Sequence, residues 1–377
     1  MRRFPANDII SLVGAAPRHD LGESVGPDLR LAELLGASQA DMGDLRLGYG
    51  TAQGDPRLRQ AIADLHGVSA DDVVTTIGGM HALFLLAFIL CDRGDEAVAT
   101  APLFPLARNA LEVVGAQVRT LRMTFERGYQ PDLAELRPLL TARTRLVSLA
   151  TPQNPSGVAI PPQTLRDILV LMDEVCPQAH LLVDETYREA VYGDAATAAT
   201  AVALSPKVIS IASLSKCHGA PGLRLGWAIA RDAALREQLV IGKFNTVISC
   251  PTVEEALALK VLQDRERIIA ERRSRLAEGL ARTAAWVRAN SALVEWVQPD
   301  AGALCCVRLK PSAFDPAAVS RFYDSLPGHD MRVGNGAWFG DEARVFRLGF
   351  GLLPPKDLDA ALHALGAALR RATRVAA

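Results

Sequence analysis

One lysine stands in a stretch of small and hydroxyl residues directly after a predicted strand. The stretch reads S-L-S-K-C-H-G over residues 213–219 and is followed by Arg224. Burial at the end of a strand lowers the pKa of a lysine, and the neutral amine is then a nucleophile suited to a Schiff base. Ser213 and Arg224 supply a hydroxyl donor and a bidentate guanidinium, which suit a phosphate. A lysine on a surface loop is the alternative for so short a motif.

This Ser-x-Ser-Lys block, with its Arg-x-Gly extension, resembles the signature of the pyridoxal-phosphate (PLP) aminotransferases of class I/II, fold type I. The similarity runs from about Leu12 to Arg371 and implies that Lys216 forms a Schiff base with PLP. It also implies an α/β fold, in which helices sandwich a mostly parallel seven-stranded sheet in a large domain. A smaller α+β domain would combine both chain ends, with residues 1–44 as the N-terminal segment, 45–285 as the large PLP-binding domain and 286–377 as the small C-terminal domain.

Three further residues match positions that hold the cofactor ring in this family. Asn154 begins an Asn-Pro-Ser-Gly turn, and the resemblance places it with Tyr187 at the phenolic oxygen of PLP. Asp184 would pair with the pyridine nitrogen, where a carboxylate keeps the ring protonated and makes it an electron sink. An ordinary turn and a helix N-cap are the structural alternatives for Asn154 and Asp184.

The cofactor's phosphate and ring face have further candidates. A Gly-Gly-Met sequence at 78–80 precedes an apolar run, so the Gly79 and Met80 amides at a helix start could face an anion. The resemblance assigns both amides to the PLP phosphate. Phe104 would stack on the ring, with core packing as the alternative. Tyr49 would reach across a homodimer interface to the partner's phosphate, so the predicted dimer shares its active sites.

The substrate positions lie near the two ends of the chain. Arg347 matches the family's C-terminal arginine, which pairs with the substrate α-carboxylate, and a buried structural ion pair is its alternative. Gly14 matches a glycine whose backbone closes over that carboxylate, and Asn154 completes the predicted substrate set. The roles of Arg18 and His19 stay open. Three conspicuous residues beside matched positions are interpreted as structural: His81, Cys217 and His218.

The elements that must position these residues alternate along the chain. Short β-rich runs separated by helical stretches predict a largely parallel sheet covered on both faces. The predicted strands of this part are Val73–Thr76, Ala97–Thr100, Val118–Leu121, Leu146–Ala150, Leu181–Val183 and Val208–Ala212. A helix from Val253 to about Asn290, strands Leu304–Leu309 and Val345–Leu348, and a helix Leu358–Arg371 follow, which indicates a second, smaller α+β unit.

Composition limits the possible partners and compartments. A chain of 377 residues with 49% hydrophobic residues can bury the cores of about two domains. Its 41 Lys and Arg against 42 Asp and Glu create no general basic field, which argues against nucleic acid. The six cysteines lack metal-site or disulfide-scaffold spacing, and no leader or membrane-spanning run is recognisable. We therefore expect reduced thiols, a cytoplasmic location, and no metal or membrane segment.

These observations predict a homodimeric PLP-dependent aminotransferase that exchanges an amino group between an L-α-amino acid and a 2-oxo acid. The same residues serve cyclases, β-eliminating lyases and oxidases of this fold, which remain the alternative. A non-catalytic PLP-binding regulator module is less favoured, since similarity from about Leu12 leaves no room for an N-terminal helix-turn-helix. A nucleotide-binding enzyme is excluded because the glycine-rich phosphate-binding motifs are missing. The sequence does not name the amino acid.

Overall fold

Two β-sheets organise the chain in a computed structural model that describes residue 8, residues 16–35 and residues 45–373. Their strands, in chain order, are β1 His19–Leu21, β2 Val73–Ile77, β3 Glu96–Ala101, β4 Gln117–Arg122, β5 Thr144–Ala150, β6 His180–Asp184, β7 Val208–Ser213, β8 Leu225–Ala230, β9 Val294–Val297, β10 Leu304–Leu309, β11 Met331–Asn335 and β12 Val345–Gly349. The α-helices are Leu31–Leu35, Pro56–His66, Gly78–Leu90, Pro105–Val114, Leu133–Leu136, Pro162–Val175, Ala233–Val247, Thr252–Gln263, Arg265–Ala289, Pro316–Ser325 and Pro355–Thr373.

The larger sheet has seven strands in the order β2-β8-β7-β6-β5-β3-β4. The five strands from β7 to β4 in this order pair in parallel, whereas β8 is antiparallel to both β2 and β7. This confirms the predicted mostly parallel seven-stranded sheet. The six predicted strands of this region correspond to β2–β7, but β8 was missed. Its sequence, L-G-W-A-I-A, contains a glycine and two alanines, which are depleted in strands.

Helices cover both faces of the larger sheet, because successive side chains of its strands alternate between the two faces and are apolar on both. Leu182 faces one side with helices Gly78–Leu90 and Ala233–Val247, while Leu181 and Val183 face the other with helix Pro162–Val175. Successive side chains of a strand point to opposite faces, so a strand buried on both sides is apolar throughout.

The smaller sheet has five strands in the order β1-β11-β12-β10-β9. Its core packs against helices Pro316–Ser325 and Pro355–Thr373. β1 pairs in parallel with β11, so the described part of the N-terminal segment joins a sheet made otherwise of C-terminal strands. The exact domain boundaries at 44 and 285 stay a prediction.

The long helix predicted over 253–290 is two helices. Asp264 ends the helix Thr252–Gln263 and precedes Arg265–Ala289, with φ −89° and ψ 9°. These angles lie in the bridge region rather than the α region, so the chain changes direction there. None of the helices in the described ranges is long and apolar enough to cross a membrane.

Candidate active site

Lys216 lies in the loop that leaves the carboxyl end of β7. Its Nζ donates a hydrogen bond of 3.3 Å to Ser24 Oγ. Burial lowers the pKa of Lys216 to about 8, with a further contribution from the positive charge of Arg347. The sequence predicted a desolvated lysine here, and near neutral pH a substantial fraction of such an amine is unprotonated and nucleophilic.

Asp184 ends β6, the parallel neighbour of β7, so its carboxylate lies at the same sheet edge as Lys216. Asp184 Oδ1 accepts hydrogen bonds from the Thr186 backbone amide at 3.0 Å and from Thr186 Oγ1 at 2.6 Å. Burial raises the pKa of Asp184, and the Thr186 hydrogen bonds and Lys216 offset part of this rise. A buried carboxylate of this kind is suited to pairing with a cation such as a protonated ring nitrogen.

Tyr187 follows on the same segment, and its hydroxyl is buried with no hydrogen bond of ordinary geometry among the described residues. Burial raises the pKa of Tyr187 to about 12, although Arg347 and the Ser24 side chain act in the opposite direction. A buried hydroxyl of this kind is available to donate to an acceptor that enters the site.

An anion cradle forms where β7 approaches the start of helix Gly78–Leu90. A Cβ added to Gly79 would lie 4.0 Å from Ser213 Cβ, and one added to Gly78 would lie only 2.6 Å from Arg224 Nη2. The glycines therefore let a helix N-terminus, a hydroxyl and a guanidinium converge. Such a set of donors matches a phosphate dianion.

Two other predicted cofactor residues lie at the starts of helices. Met80 is in the first turn of helix Gly78–Leu90, and its side chain packs against the adjacent apolar core. Phe104 precedes helix Pro105–Val114 and is half-buried. Gln153 donates to the Pro102 carbonyl at 2.8 Å, which ties the Phe104 loop to the turn that contains Asn154.

Arg347 lies on β12, so the smaller sheet contributes a residue to the site. Its Nη1 donates to Asn154 Oδ1 at 2.9 Å and its Nη2 to the Gly22 carbonyl at 2.6 Å. The guanidinium lies 4.7 Å from the centre of the Phe339 ring, and its Nε is buried without a partner among the described residues. Arg347 is thus oriented by contacts from three parts of the chain, with donor capacity left for a ligand.

The segment Gly22–Ser24 was missed by sequence reasoning, although it contacts both Lys216 and Arg347. Gly14, predicted for this place, lies outside the described residues, and His19 lies in β1. β1 has only three residues and pairs with a strand near the other end of the chain. No local pattern could have revealed it, since so short a strand shows no measurable alternation.

Tyr49 lies apart from these residues. Its side chain is 85% exposed, and it lines a surface cavity with Thr252 and Glu255 rather than the surroundings of Lys216. Within one chain, the structure therefore does not bring Tyr49 together with the other predicted cofactor residues.

The three residues beside matched positions that were interpreted as structural have contacts within the fold. Cys217 Sγ contacts the Thr186 carbonyl at 3.1 Å, and burial raises the pKa of this thiol to about 12, which disfavours the thiolate. His218 Nε2 lies 3.4 Å from Glu189 Oε2, and His81 contacts Thr246 at 3.1 Å. In the ranges that the structure describes, no three metal-ligating side chains cluster.

Comparison with known proteins identifies the family. The profile of the family described as aminotransferase class I and II matches residues 8–365, which is nearly the whole chain. The chain belongs to this family. Capreomycidine synthase from Streptomyces vinaceus is 31% identical over 333 residues, which cover 88% of this chain and 83% of that protein. The arginine–pyruvate transaminase of Pseudomonas aeruginosa is 28% identical over 315 residues, which cover 78% of this chain and 75% of that protein.

A solved structure with the same fold is that of the PLP-dependent cyclase OrfR. It has a TM-score of 0.86 and 27% identity, and the match covers 98% of each chain. The predicted class, a PLP-dependent aminotransferase of fold type I, is confirmed by the family match together with the named relatives.

The site fits PLP on independent grounds. The cradle at Gly78 and Gly79 suits the phosphate, the buried Asp184 suits a protonated ring nitrogen, and the unpartnered Tyr187 hydroxyl suits the phenolic oxygen. The Tyr187 hydroxyl is buried, where an unpaired polar atom is costly, so a ligand with a matching group would stabilise it.

Proposed function

We propose that this enzyme moves an amino group from an L-α-amino acid to a 2-oxo acid in the cytoplasm, with PLP attached covalently through Lys216. The observation that carries the proposal concerns the segment Gly22–Ser24. Its two ends contact an amine that can lose its proton and a guanidinium that can bind a carboxylate. Lys216 contacts Ser24, and Arg347 contacts Gly22. The six cysteines are buried free thiols, which supports a reducing compartment.

Each residue around Lys216 has a binding role in this proposal. Ser213, Arg224 and the backbone amides of Gly79 and Met80 hold the phosphate, and Phe104 covers the ring face. Asp184 pairs with the ring nitrogen, while Asn154 and Tyr187 donate to the phenolic oxygen. When bound, PLP supplies an electron sink that stabilises a carbanion at the substrate's Cα.

Proton transfer falls to Lys216. Once the substrate's amino group has displaced Lys216 from PLP, the freed Nζ would accept the proton that leaves the substrate's Cα and would hold it for return. With a pKa of about 8, the amine is present in both protonation states near neutral pH, which is the condition for an effective general acid and base. Asp184 keeps the ring nitrogen charged during this transfer, because its own neighbours hold it in place.

The substrate's α-carboxylate binds Arg347. Two parallel charge-assisted hydrogen bonds from a guanidinium fix both position and orientation of a carboxylate. Asn154 and Gly22 hold the guanidinium from two sides. They thereby direct the substrate's Cα toward Lys216 with little reorganisation during binding.

A homodimer with shared active sites completes the proposal. Tyr49 is 85% exposed in one chain, so its ring and hydroxyl are available to another molecule. Helices Gly78–Leu90 and Ala233–Val247 also expose apolar side chains, with Phe88 at 67% and Phe244 at 55% exposure. These helices pack together, since Gly242 of the second lies against Ile89 of the first. A second copy of the chain is the partner that would cover them.

We expect Tyr49→Phe to weaken PLP binding by about 10- to 100-fold, because it removes a hydrogen bond to a charged phosphate of the neighbouring subunit. Mixing Tyr49→Phe subunits with Lys216→Ala subunits should restore activity. Each heterodimer then has one site with both defects and one with neither. Unchanged PLP affinity in Tyr49→Phe, measured by equilibrium titration, would contradict the shared site.

A cyclase is the second candidate function. It is favoured by the extent of the match to the PLP-dependent cyclase OrfR, which covers 98% of both chains. The roles of Lys216, Asp184 and Arg347 would be unchanged up to removal of the Cα proton. The two reactions differ in what happens to the substrate afterwards.

Product analysis separates the two candidates. We expect single amino acids to convert the PLP form of the enzyme to its amine form, with the matching 2-oxo acid detected by mass spectrometry. Addition of a different 2-oxo acid should then restore the PLP spectrum and release a new amino acid. A cyclised product, or ammonia without recovery of the spectrum by the oxo acid, would contradict transamination and support the alternative.

A further inference from the structure

The segment Gly22–Ser24 covers the reacting groups directly. Its first residue accepts a hydrogen bond from Arg347 at 2.6 Å, and its last accepts one from Lys216 at 3.3 Å. Glu23 therefore lies between the group that would bind the substrate's α-carboxylate and the group that would move its Cα proton. Its carboxylate is close enough for its charge to act on both Lys216 and Arg347.

The Glu23 carboxylate has no strong partner among the described residues. Its side chain is 26% exposed, and its one ion-pair contact is Arg332 at 3.8 Å. Arg332 is bound instead by Asp20, through hydrogen bonds of 2.8 Å and 2.6 Å. A contact of 3.8 Å is too long for a hydrogen bond, so Glu23 retains the capacity to accept from an incoming donor.

The negative charge of Glu23 affects two basic groups of the site. It raises the pKa of both Lys216 and Arg347, against the larger opposing effect of burial. A substrate carboxylate that binds Arg347 compensates the positive charge of the guanidinium. Asp184 pairs with the ring nitrogen of the cofactor. Glu23 is then a partly desolvated negative charge without a matching cation, and such a group favours a positively charged ligand.

Three arginines near Lys216 are the competing candidates for binding a substrate side chain. Arg272, Arg273 and Arg275 line the cavity beside Lys216 and Tyr187. Each donates to a backbone carbonyl, at Pro27, Glu189 and Leu352 respectively. These contacts orient the three guanidiniums, and Arg275 Nε stays buried without a partner among the described residues, so the preference between a basic and an acidic side chain is decided by the test below.

We propose that Glu23 binds the positively charged end of the substrate side chain, and that the amino donor is a basic amino acid with a guanidinium or ammonium group. This proposal rests on the proposed function, because it assumes that Arg347 takes the α-carboxylate. Glu23 selects the substrate by charge, and Lys216 and Arg347 perform the same roles for any amino acid that binds.

The test compares substrates that differ in charge but hardly in shape. L-Arginine is paired with its neutral analogue L-citrulline, and L-lysine with L-2-aminoheptanoate, in which a methyl group replaces the ammonium, in half-reaction kinetics with the PLP-loaded enzyme. We expect kcat/KM to favour the charged member of at least one pair by about 10- to 100-fold, as for a hydrogen bond to a charged group. In Glu23→Gln, this preference should fall to near unity, because the ratio of the two rates within a pair isolates the charge of the side chain.

Binding without turnover provides a second readout. Calorimetric titration of PLP-loaded Lys216→Ala with arginine and citrulline should show the same preference in Kd, and adding Glu23→Gln should remove it. Glu23→Asp should keep part of the preference because it keeps the charge. Glu33→Gln, which removes an exposed carboxylate of the helix Leu31–Leu35, is the matched control and should change neither ratio.

Equal rates and affinities for charged and neutral analogues in the native protein would overturn the proposal. So would faster reaction of L-glutamate than of L-glutamine, since that result assigns the side chain to the arginines of the neighbouring cavity. Failure of the proposed function looks different. In that case no amino acid of either charge yields its 2-oxo acid, whereas calorimetry still reports whether Glu23 discriminates between them.

Discussion

Lys216→Ala is expected to abolish covalent attachment of PLP and to lower the rate of the amino-acid half-reaction by roughly 10²- to 10⁴-fold or more. Removal of a general base alone costs about this much, and the attachment point is lost as well. The measurement is borohydride reduction followed by mass spectrometry of the labelled peptide, together with single-turnover kinetics. Because the pKa of Lys216 is lowered to about 8, attachment to the native apoenzyme should speed up with rising pH and level off above about 8.

Controls for this prediction are available in the same chain. Lys207 pairs with Asp173 near the surface, so Lys207→Ala should keep the reducible adduct. Lys243 is fully buried, and burial lowers its pKa as well. An adduct that persists in Lys216→Ala and maps to Lys243 would remove Lys216 from the proposed role. Circular dichroism of the variant would show whether the fold is retained.

Arg347→Lys is expected to lower kcat/KM for the amino acid by about 30-fold to several thousand-fold. This range corresponds to roughly 2–5 kcal/mol for disrupting a desolvated, hydrogen-bonded charge pair. Lysine keeps the charge but cannot reproduce the planar fork that contacts Asn154 and Gly22 while binding a carboxylate. PLP affinity should change little, because the phosphate and ring contacts are assigned to other residues.

An amine that lacks the carboxylate tests the assignment of Arg347. Its rate should be almost unaffected by Arg347→Lys, whereas the rate with the amino acid falls. Arg344→Lys is the matched control, since Arg344 donates to the carbonyls of Leu309 and Phe314 just before β12 and does not contact the site residues. Equal losses with amine and amino acid would show that Arg347 is a structural residue, and the α-carboxylate assignment would fail.

The sequence by itself determined the residues whose environment is local. Ser213, Lys216 and Arg224 follow one strand within a short interval, and Asp184 ends the neighbouring strand. Parallel strands place their carboxyl ends at one edge of the sheet, so identifying β6 and β7 was enough to bring the lysine and the carboxylate together. The six strands β2–β7 were recognisable because each is a short run rich in β-favouring residues between helical stretches.

Tertiary structure alone decided which residues from the chain ends reach this edge. β1 has three residues and is held by pairing with β11 and by burial of Leu21 in the core of the smaller sheet, and no local pattern encodes these contacts. It delivers Gly22 to Arg347 and Ser24 to Lys216, and it places Glu23 between them. The predicted substrate residue Gly14 lies outside the described residues and stays a prediction. Contacts between residues so distant in sequence depend on packing of the whole chain, whereas propensity and spacing report only on near neighbours.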